Sequence, residues 1–247
     1  REIRRAFVAQ SGHKLLAADY SQIELRVLAH ITNDPALVHV FQTGDDIHAA
    51  TAAKLFAVER AEVTKNQRRI AKMTVFGIIY GISSFGLAAR TDLSRSEAQQ
   101  MINTLFEQYP GLRKYIDSAL EFARRHGYVE TLFGRRRYFR ELRDGTAGPR
   151  RQALEREAIN AGIQGTAADL IKLAMVQLEQ QLKANNYQAR MLLQVHDELV
   201  LEVPDHEVAA VAELVRTTMR DIFPAMRVPL EVNVEVGANW DTLERLS

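Results

Sequence analysis

Met191-Leu192-Leu193-Gln194-Val195-His196-Asp197-Glu198-Leu199-Val200-Leu201-Glu202-Val203 is the stretch on which the fold turns. Met191 to Val195 and Leu199 to Val203 read as two strands, joined by a tight connection around His196-Asp197. His-Asp is an unusual pair for a hairpin tip, where Asn-Gly or Asp-Gly is expected. Asp is also a common turn former, so Asp197 alone names no chemistry.

Two further strands lie far away in the chain. Leu15 to Tyr20 is a short apolar run that contains an acid, Asp19, near its end, and reads as a buried strand. Leu230, Val232, Val234 and Val236 alternate with Glu231, Asn233 and Glu235, the period of a half-buried strand. From Ile23 to about His126 the pattern is helical. Ser94 and Glu97 form a capping box ahead of Ala98, Met101, Ile102, Leu105, Phe106 and Tyr109. Pro110 suits the first turn of the next helix, and Gly127 stops it. Tyr128 to Leu132 reads as a strand, Phe133-Gly134 as a turn, and Gln152 to Leu182 as a long helix. Asp205 is placed to cap a helix carrying Val208, Val211, Val215 and Met219. Strands separated by a long helical insertion predict an α+β sheet platform with a helical subdomain.

Composition narrows the chemistry. The 247 residues are 47% hydrophobic and 26% charged, which excludes wholesale disorder. No apolar run approaches 18 residues, so no transmembrane helix and no membrane role are expected. Arg1 is not followed by a leader pattern. The absence of Cys excludes a thiolate nucleophile and a Cys-based metal site. A formal charge of +1 excludes a generally basic coat but not a local patch. Arg135 to Arg156 holds eight Arg against Glu141, Asp144 and Glu155, and Thr64 to Lys72 holds Lys65, Arg68, Arg69 and Lys72 with no acid.

Asp19 alone reads as a helix cap for the segment after Ser21. Taken with Asp197 it says more, because a sheet can bring two strand ends side by side. Two adjacent carboxylates repel, and divalent cations relieve that repulsion; hard oxygen donors favour Mg²⁺. Two ions held this way serve in-line phosphoryl displacement.

Arg68, Lys72, Phe76 and Tyr80 are spaced i, i+4, i+8, i+12 on a helix read as Asn66 to Tyr80. Steps of four advance about 40° each, so the four share one face about 120° wide. Cations followed by rings suit a polyphosphate tail and a flat base. The plain alternative is a solvated first turn and a core stripe. Cations at a helix N-terminus oppose its dipole, and an external anion would relieve this. Arg156, Asn160 and Gln164 repeat the i, i+4, i+8 spacing on a helix otherwise rich in Ala, Ile and Leu. They form either a wet face or a set that reaches phosphates and minor-groove acceptors.

The ordered motifs resemble family A DNA polymerases, the bacterial DNA polymerase I group. They are Asp19-Tyr20-Ser21-Gln22-Ile23-Glu24-Leu25-Arg26, then Arg68-Arg69-Ile70-Ala71-Lys72 with Phe76-Gly77 and Tyr80-Gly81, then Gln194-Val195-His196-Asp197-Glu198. Asp46-Ile47-His48, Thr131 to Tyr138, and Asn160-Ala161 with Gln164 to Ala167 extend the similarity over nearly the whole chain. Val75 stands where bacterial members usually carry Asn.

The resemblance implies a right-hand polymerase core with an antiparallel palm sheet and helical fingers. The palm would take residues 1–44 and 141–247, and the fingers 45–140. It implies two Mg²⁺ ions held by Asp19, Asp197 and the Tyr20 carbonyl, with Glu198 nearby as a further catalytic acid. Arg68, Lys72 and His48 would bind the triphosphate of a deoxynucleotide, with Lys72 also catalytic. Phe76 would pack beside the incoming sugar and base. Glu24 with Tyr80 would exclude a ribose 2′-hydroxyl. Arg156, Asn160, Gln164 and His196 would face primer–template DNA. A cytoplasmic, nucleoid-associated bacterial protein of replication and repair is implied, together with a thumb and early palm segment absent from this chain. A single-subunit RNA polymerase shares the acids and the basic helix, but Glu24 argues against it. A truncated, non-catalytic primer–template binding module is the remaining alternative.

Overall fold

The structure is a computed structural model that describes residues 2–246. Arg1 and Ser247, the outer limits expected for the palm, lie outside the described residues. In chain order, β1 (His13–Tyr20) is followed by α1 (Ile23–Thr32), α2 (Pro35–Gln42), α3 (Ile47–Phe56) and α4 (Lys65–Ile79). Then come α5 (Ser84–Ala88), α6 (Arg95–Gln108), α7 (Pro110–His126), the short strands β2 (Tyr128–Glu130) and β3 (Arg136–Tyr138), and α8 (Arg140–Asp144). The 37-residue α9 (Gly148–Ala184) leads to β4 (Arg190–Val195), β5 (Glu198–Pro204), α10 (Val208–Arg220), β6 (Val232–Gly237) and β7 (Glu244–Arg245).

The chain divides by packing into two units. One takes the chain up to Ile23 and again from Ala167; the other is Glu24–Thr166. These limits fall within α1 and α9, not at the boundaries near 44 and 141 expected from the sequence.

The first unit is built on a five-stranded antiparallel sheet in the order β4-β5-β1-β6-β7. β1 is central, which explains its near-continuous apolar run: both faces are covered. Leu16 and Ala18 are fully buried, as are Val211, Val215 and Met219 of α10, which packs on β1, β5 and β6. Burying each large apolar side chain stabilises the fold by about 1.5–3 kcal/mol. Leu15 and Ala17 alternate to the other face and cluster with Val200 and Trp240. The edge strand β4 carries a register irregularity between Met191 and Leu193, a device that blunts edge pairing.

The second unit is mainly helical, and its helix starts follow local rules. Asp34 caps α2 with Pro35 at its first position, and Asp46 caps α3 by accepting from the His48 and Ala49 amides. Capping boxes start α4 (Thr64 with Gln67) and α6 (Ser94 with Glu97). Gly127 ends α7 in the left-handed conformation at φ 73°. Ala123, Val129, Phe139, Leu142, Leu154 and Ala158 form one of its cores.

Three local expectations differ. Asp205 does not cap α10; Glu207 occupies that place without a side-chain cap bond, and its carboxylate instead accepts the Gln188 and Ala189 amides. β6 begins at Val232 rather than Leu230, and β2 ends at Glu130 rather than Leu132. Among the described residues no helix is long and apolar enough to cross a membrane.

Candidate active site

Asp19 stands opposite Glu198 on β5 and Asn233 on β6 in the sheet ladder. Alternation places it on the face of Leu15 and Ala17. Tyr20 turns the other way: its ring is buried and its hydroxyl donates to the Met219 carbonyl at 2.8 Å, anchoring the strand end. Asp19 is therefore a strand residue and not a helix cap.

Asp197 lies in the two-residue connection between β4 and β5. His196 takes a left-handed backbone, φ 56°, and is exposed; Gln194 Nε2 donates to its carbonyl at 2.5 Å. The Tyr20 amide donates to the Asp197 carbonyl at 3.3 Å, tying the connection to β1. The Asp19 and Asp197 side chains are close enough to share a hydrogen bond, which requires a proton between them. Burial first, then the charges of Asp197 and Glu198, push the Asp19 carboxyl up to about 7, and Glu235 adds to this.

These acids line a cleft of about 500 Å³ together with Asn233 and the cations Arg4 and Arg245. Glu198 is held at both oxygens: Trp240 Nε1 donates to Oε1 at 2.8 Å and Arg4 Nη2 to Oε2 at 3.2 Å. Among the described residues no set of three or more His, Asp or Glu is already grouped around a common ion position. The donor chemistry nevertheless fits a hard divalent cation, because the carboxylates of Asp19, Asp197 and Glu198 line one cleft and a cation would offset both the burial and the mutual repulsion that raise the Asp19 carboxyl.

In the other unit, α4 presents Arg68, Lys72 and Phe76, with Tyr80 as its C-cap. Arg68 and Lys72 are exposed and Phe76 is half-buried. Arg68 Nε donates to Asp46 Oδ2 at 2.7 Å. Arg68 of the basic first turn thus finds counter-charge inside the chain, so an external anion is not the sole source of relief for its charge. Burial of Asp46 works against its ionisation, but Arg68 and the two cap amides prevail and hold its carboxyl below the usual range.

His48 is only 2% exposed, and its ring centroid lies 5.6 Å from that of Phe76. Burial pushes its imidazole down to about 4; Asp46 pulls it back, while Lys72 and Arg68 add to the lowering. Lys72 Nζ lies 5.9 Å from the Phe76 ring centroid. The Tyr80 hydroxyl donates to Glu24 Oε2 at 2.6 Å, so these two predicted partners do meet.

A second cavity of about 540 Å³ is lined by Phe76, Tyr80, Gly81, Arg90 and Arg156, among others. Gly81 has φ 67°, and a Cβ there would lie 2.3 Å from Arg156 Cγ. Along α9, Arg156 and Gln164 are exposed, whereas Asn160 is half-buried with an Oδ1 that has no hydrogen-bond partner among the described residues. A buried acceptor of this kind is poised for an outside donor.

Reading the sequence alone missed Arg4, Asn233, Glu235, Trp240 and Asp46. For Asn233 and Glu235 the signal was present: they are the polar phase of an alternating strand, and the register brings them beside Asp19 and Ala17. For Arg4 and Trp240 no local pattern exists.

The chain matches the family described as DNA polymerase family A over residues 1–242. The DNA polymerase I of Chloroflexus aurantiacus is 58% identical over 247 residues, covering 100% of this chain and 26% of that protein. The thermostable DNA polymerase I of Thermus aquaticus is 50% identical over 240 residues, covering 97% and 28%. A solved POL domain of Pol1 from M. smegmatis, in complex with DNA primer-template and dNTP, gives a TM-score of 0.92 at 43% identity over 98% of this chain and 42% of that one. The chain spans about a quarter of the length of these curated relatives. With the family model matched over residues 1–242 and the fold shared along nearly its full length, the chain belongs to DNA polymerase family A.

Proposed function

We propose that this chain carries the nucleotidyl-transfer site of a template-directed DNA polymerase acting in replication and repair. A primer 3′-hydroxyl attacks the α-phosphorus of a deoxynucleoside triphosphate, forming the new phosphodiester and releasing pyrophosphate. The palm takes residues 1–44 and 141–247 and the fingers 45–140. The observation that carries this reading is the convergence of Asp19 and Asp197 at adjacent strand ends, where burial and then the neighbouring acids raise the Asp19 carboxyl.

Asp19, Asp197 and the Tyr20 carbonyl would hold two Mg²⁺ ions, which when bound lower the pKa of the attacking hydroxyl and neutralise charge on the leaving phosphates. Glu198 supports the acid pair without completing it. Arg68 and Lys72 bind the triphosphate, and Lys72 is placed in sequence to protonate the departing pyrophosphate. His48 is neutral at pH 7, so it brings a hydrogen-bonding ring rather than a charge, and α4 rotates when the nucleotide binds. That movement closes the site on a correct base pair. Phe76 packs on the sugar and base, and Glu24, held by Tyr80, occupies the space of a 2′-hydroxyl. Arg156, Asn160, Gln164 and His196 bind primer–template DNA through phosphates and minor-groove acceptors. The solved relative in complex with DNA primer-template and dNTP supports these two partners.

Primer extension tests this reading. Asp197→Asn and Asp19→Asn should each abolish extension while primer–template binding persists. Substantial turnover in either variant removes that residue from the acid pair.

A further inference from the structure

Glu198 is the acid of the cleft whose position depends on the two ends of the chain. Its Oε1 accepts the Trp240 indole N–H at 2.8 Å, and its Oε2 accepts Arg4 Nη2 at 3.2 Å. Arg4 and Trp240 also hold each other: the guanidinium carbon sits 4.3 Å from the indole centroid. Both belong to a joint between the first and last segments. The Phe7 ring meets Trp240 edge-on at 5.4 Å, and the Trp240 amide donates to the Phe7 carbonyl at 3.1 Å. Arg5 pairs with Asp241 at 2.8 Å, the Ala9 amide donates to the Ala238 carbonyl at 2.9 Å, and Val8 bridges Asn239.

This joint is over-built for a surface tie. Trp240 is 8% exposed and sits in the apolar cluster of Leu15, Ala17 and Val200, so its ring cannot drift, and its one donor is aimed at a carboxylate. Arg4 is half exposed, yet it enters the wall of the acidic cleft beside Asp19 and Asp197. A carboxylate bonded at both oxygens to fixed donors cannot swing to ligate an ion freely. It contributes instead a fixed negative charge directly across the ladder from Asp19.

We infer that Arg4 and Trp240 are positioning residues for Glu198, and that the joint between the segments around Arg4–Ala9 and Ala238–Asp241 thereby sets the affinity of the acidic cleft for a divalent cation. The inference rests on reading that cleft as a cation site. Groups that orient the residues around a metal site shift its affinity by about 10–100-fold when removed. Without the Trp240 and Arg4 bonds Glu198 becomes mobile, and the field it imposes on Asp19 is no longer fixed.

Trp240 is the sole tryptophan of the chain, which makes the test direct. Mn²⁺, a paramagnetic quencher, should quench its emission saturably, and Asp19→Asn should abolish the saturable phase. Free Mn²⁺ measured by electron paramagnetic resonance then gives affinities for the wild type, Arg4→Gln and Trp240→Phe. Trp240→Phe keeps a ring for Phe7 and Arg4 but removes the N–H. Each variant should bind Mn²⁺ about tenfold more weakly with a melting temperature close to wild type. The concentration of Mg²⁺ needed for half-maximal primer extension should rise in parallel, and saturating Mg²⁺ should restore most of the maximal rate. Arg4→Lys should recover part of the loss. If Trp240→Phe lowers the melting temperature, the surface variant Arg4→Gln decides alone. Wild-type or tighter Mn²⁺ binding in Arg4→Gln overturns the inference, because loss of the Arg4 charge alone would favour the cation. Undiminished affinity in Asp19→Asn overturns the reading of the cleft itself, a separate failure.

Discussion

The Tyr80 hydroxyl donates to Glu24 Oε2 at 2.6 Å, joining the end of α4 to the first turn of α1 across 56 positions of sequence. The carboxylate proposed to exclude a 2′-hydroxyl is thus held by a residue on the helix proposed to bind the nucleotide. Tyr80→Phe keeps the ring and releases the carboxylate. Ribonucleotide use, read as the ratio of ribo to deoxy kcat/KM, should rise by about tenfold, consistent with one charge-assisted hydrogen bond of about 1.5–3 kcal/mol. Glu24→Ala should raise it further. A rise in Glu24→Ala with none in Tyr80→Phe shows that the bond does not position the gate.

Asp46 competes for Arg68. Asp46→Asn keeps an oxygen for the α3 cap and removes the charge, so stability should change little, whereas Asp46→Ala should lose about 0.5–2 kcal/mol with the cap. Freed of its internal counter-ion, Arg68 should bind the triphosphate better, and KM for the deoxynucleotide should fall about two- to fivefold in Asp46→Asn. Lys72→Ala should do the opposite, raising KM about tenfold or more and lowering kcat if its proton reaches the pyrophosphate. Nucleotide titrations in steady-state extension separate these outcomes.

Gly81 cannot accept a side chain. Its φ of 67° strains any L residue by about 1–2 kcal/mol, and a Cβ would strike the stem of Arg156, not just its mobile tip. Gly81→Ala should lower stability by about that amount and displace Arg156, weakening primer–template binding. Chemical denaturation and fluorescence anisotropy with a labelled duplex measure the two effects. Normal DNA affinity in a folded Gly81→Ala protein would remove Arg156 from the DNA contacts.

His48 makes stability depend on pH. Its folded-state pKa of about 4 lies below the ordinary value of 6.5, so the unfolded chain takes up a proton first as pH falls. The stability contribution is full above pH 7, declines between 6.5 and 4, and levels off below. The groups facing it are Asp46, Lys72 and Arg68. The loss over that window should be on the order of 3 kcal/mol, and His48→Gln should flatten it. Urea midpoints at pH 7, 5.5 and 4 give the curve; equal slopes in both proteins would show that His48 does not titrate in this range.

Much of the architecture was legible in the sequence because its determinants are local. The capping box at Ser94, the Pro110 start and the Gly127 stop are satisfied by neighbours three or four residues away. The apolar run Leu15–Tyr20 reports two-sided burial, and the structure agrees; the alternation read from Leu230 to Val236 marks a strand, which starts at Val232 with Val234 buried and Glu235 exposed. Asp205 misled because a turn residue ahead of a helix looks like a cap, while the real occupant, Glu207, is used by the distant amides of Gln188 and Ala189.

The sequence by itself therefore determined the elements, the class of fold and which acids and cations are chemically unusual. Only the tertiary structure decided that Asp19 faces Glu198 and Asn233, that Asp46 neutralises Arg68, and that Arg4 and Trp240 grip Glu198 across 194 and 42 positions. Those pairings depend on strand register and on segments that meet only after collapse. A helix or strand is specified by neighbours in the chain, but the field at a carboxylate is set by whatever charge the fold brings within a few ångströms.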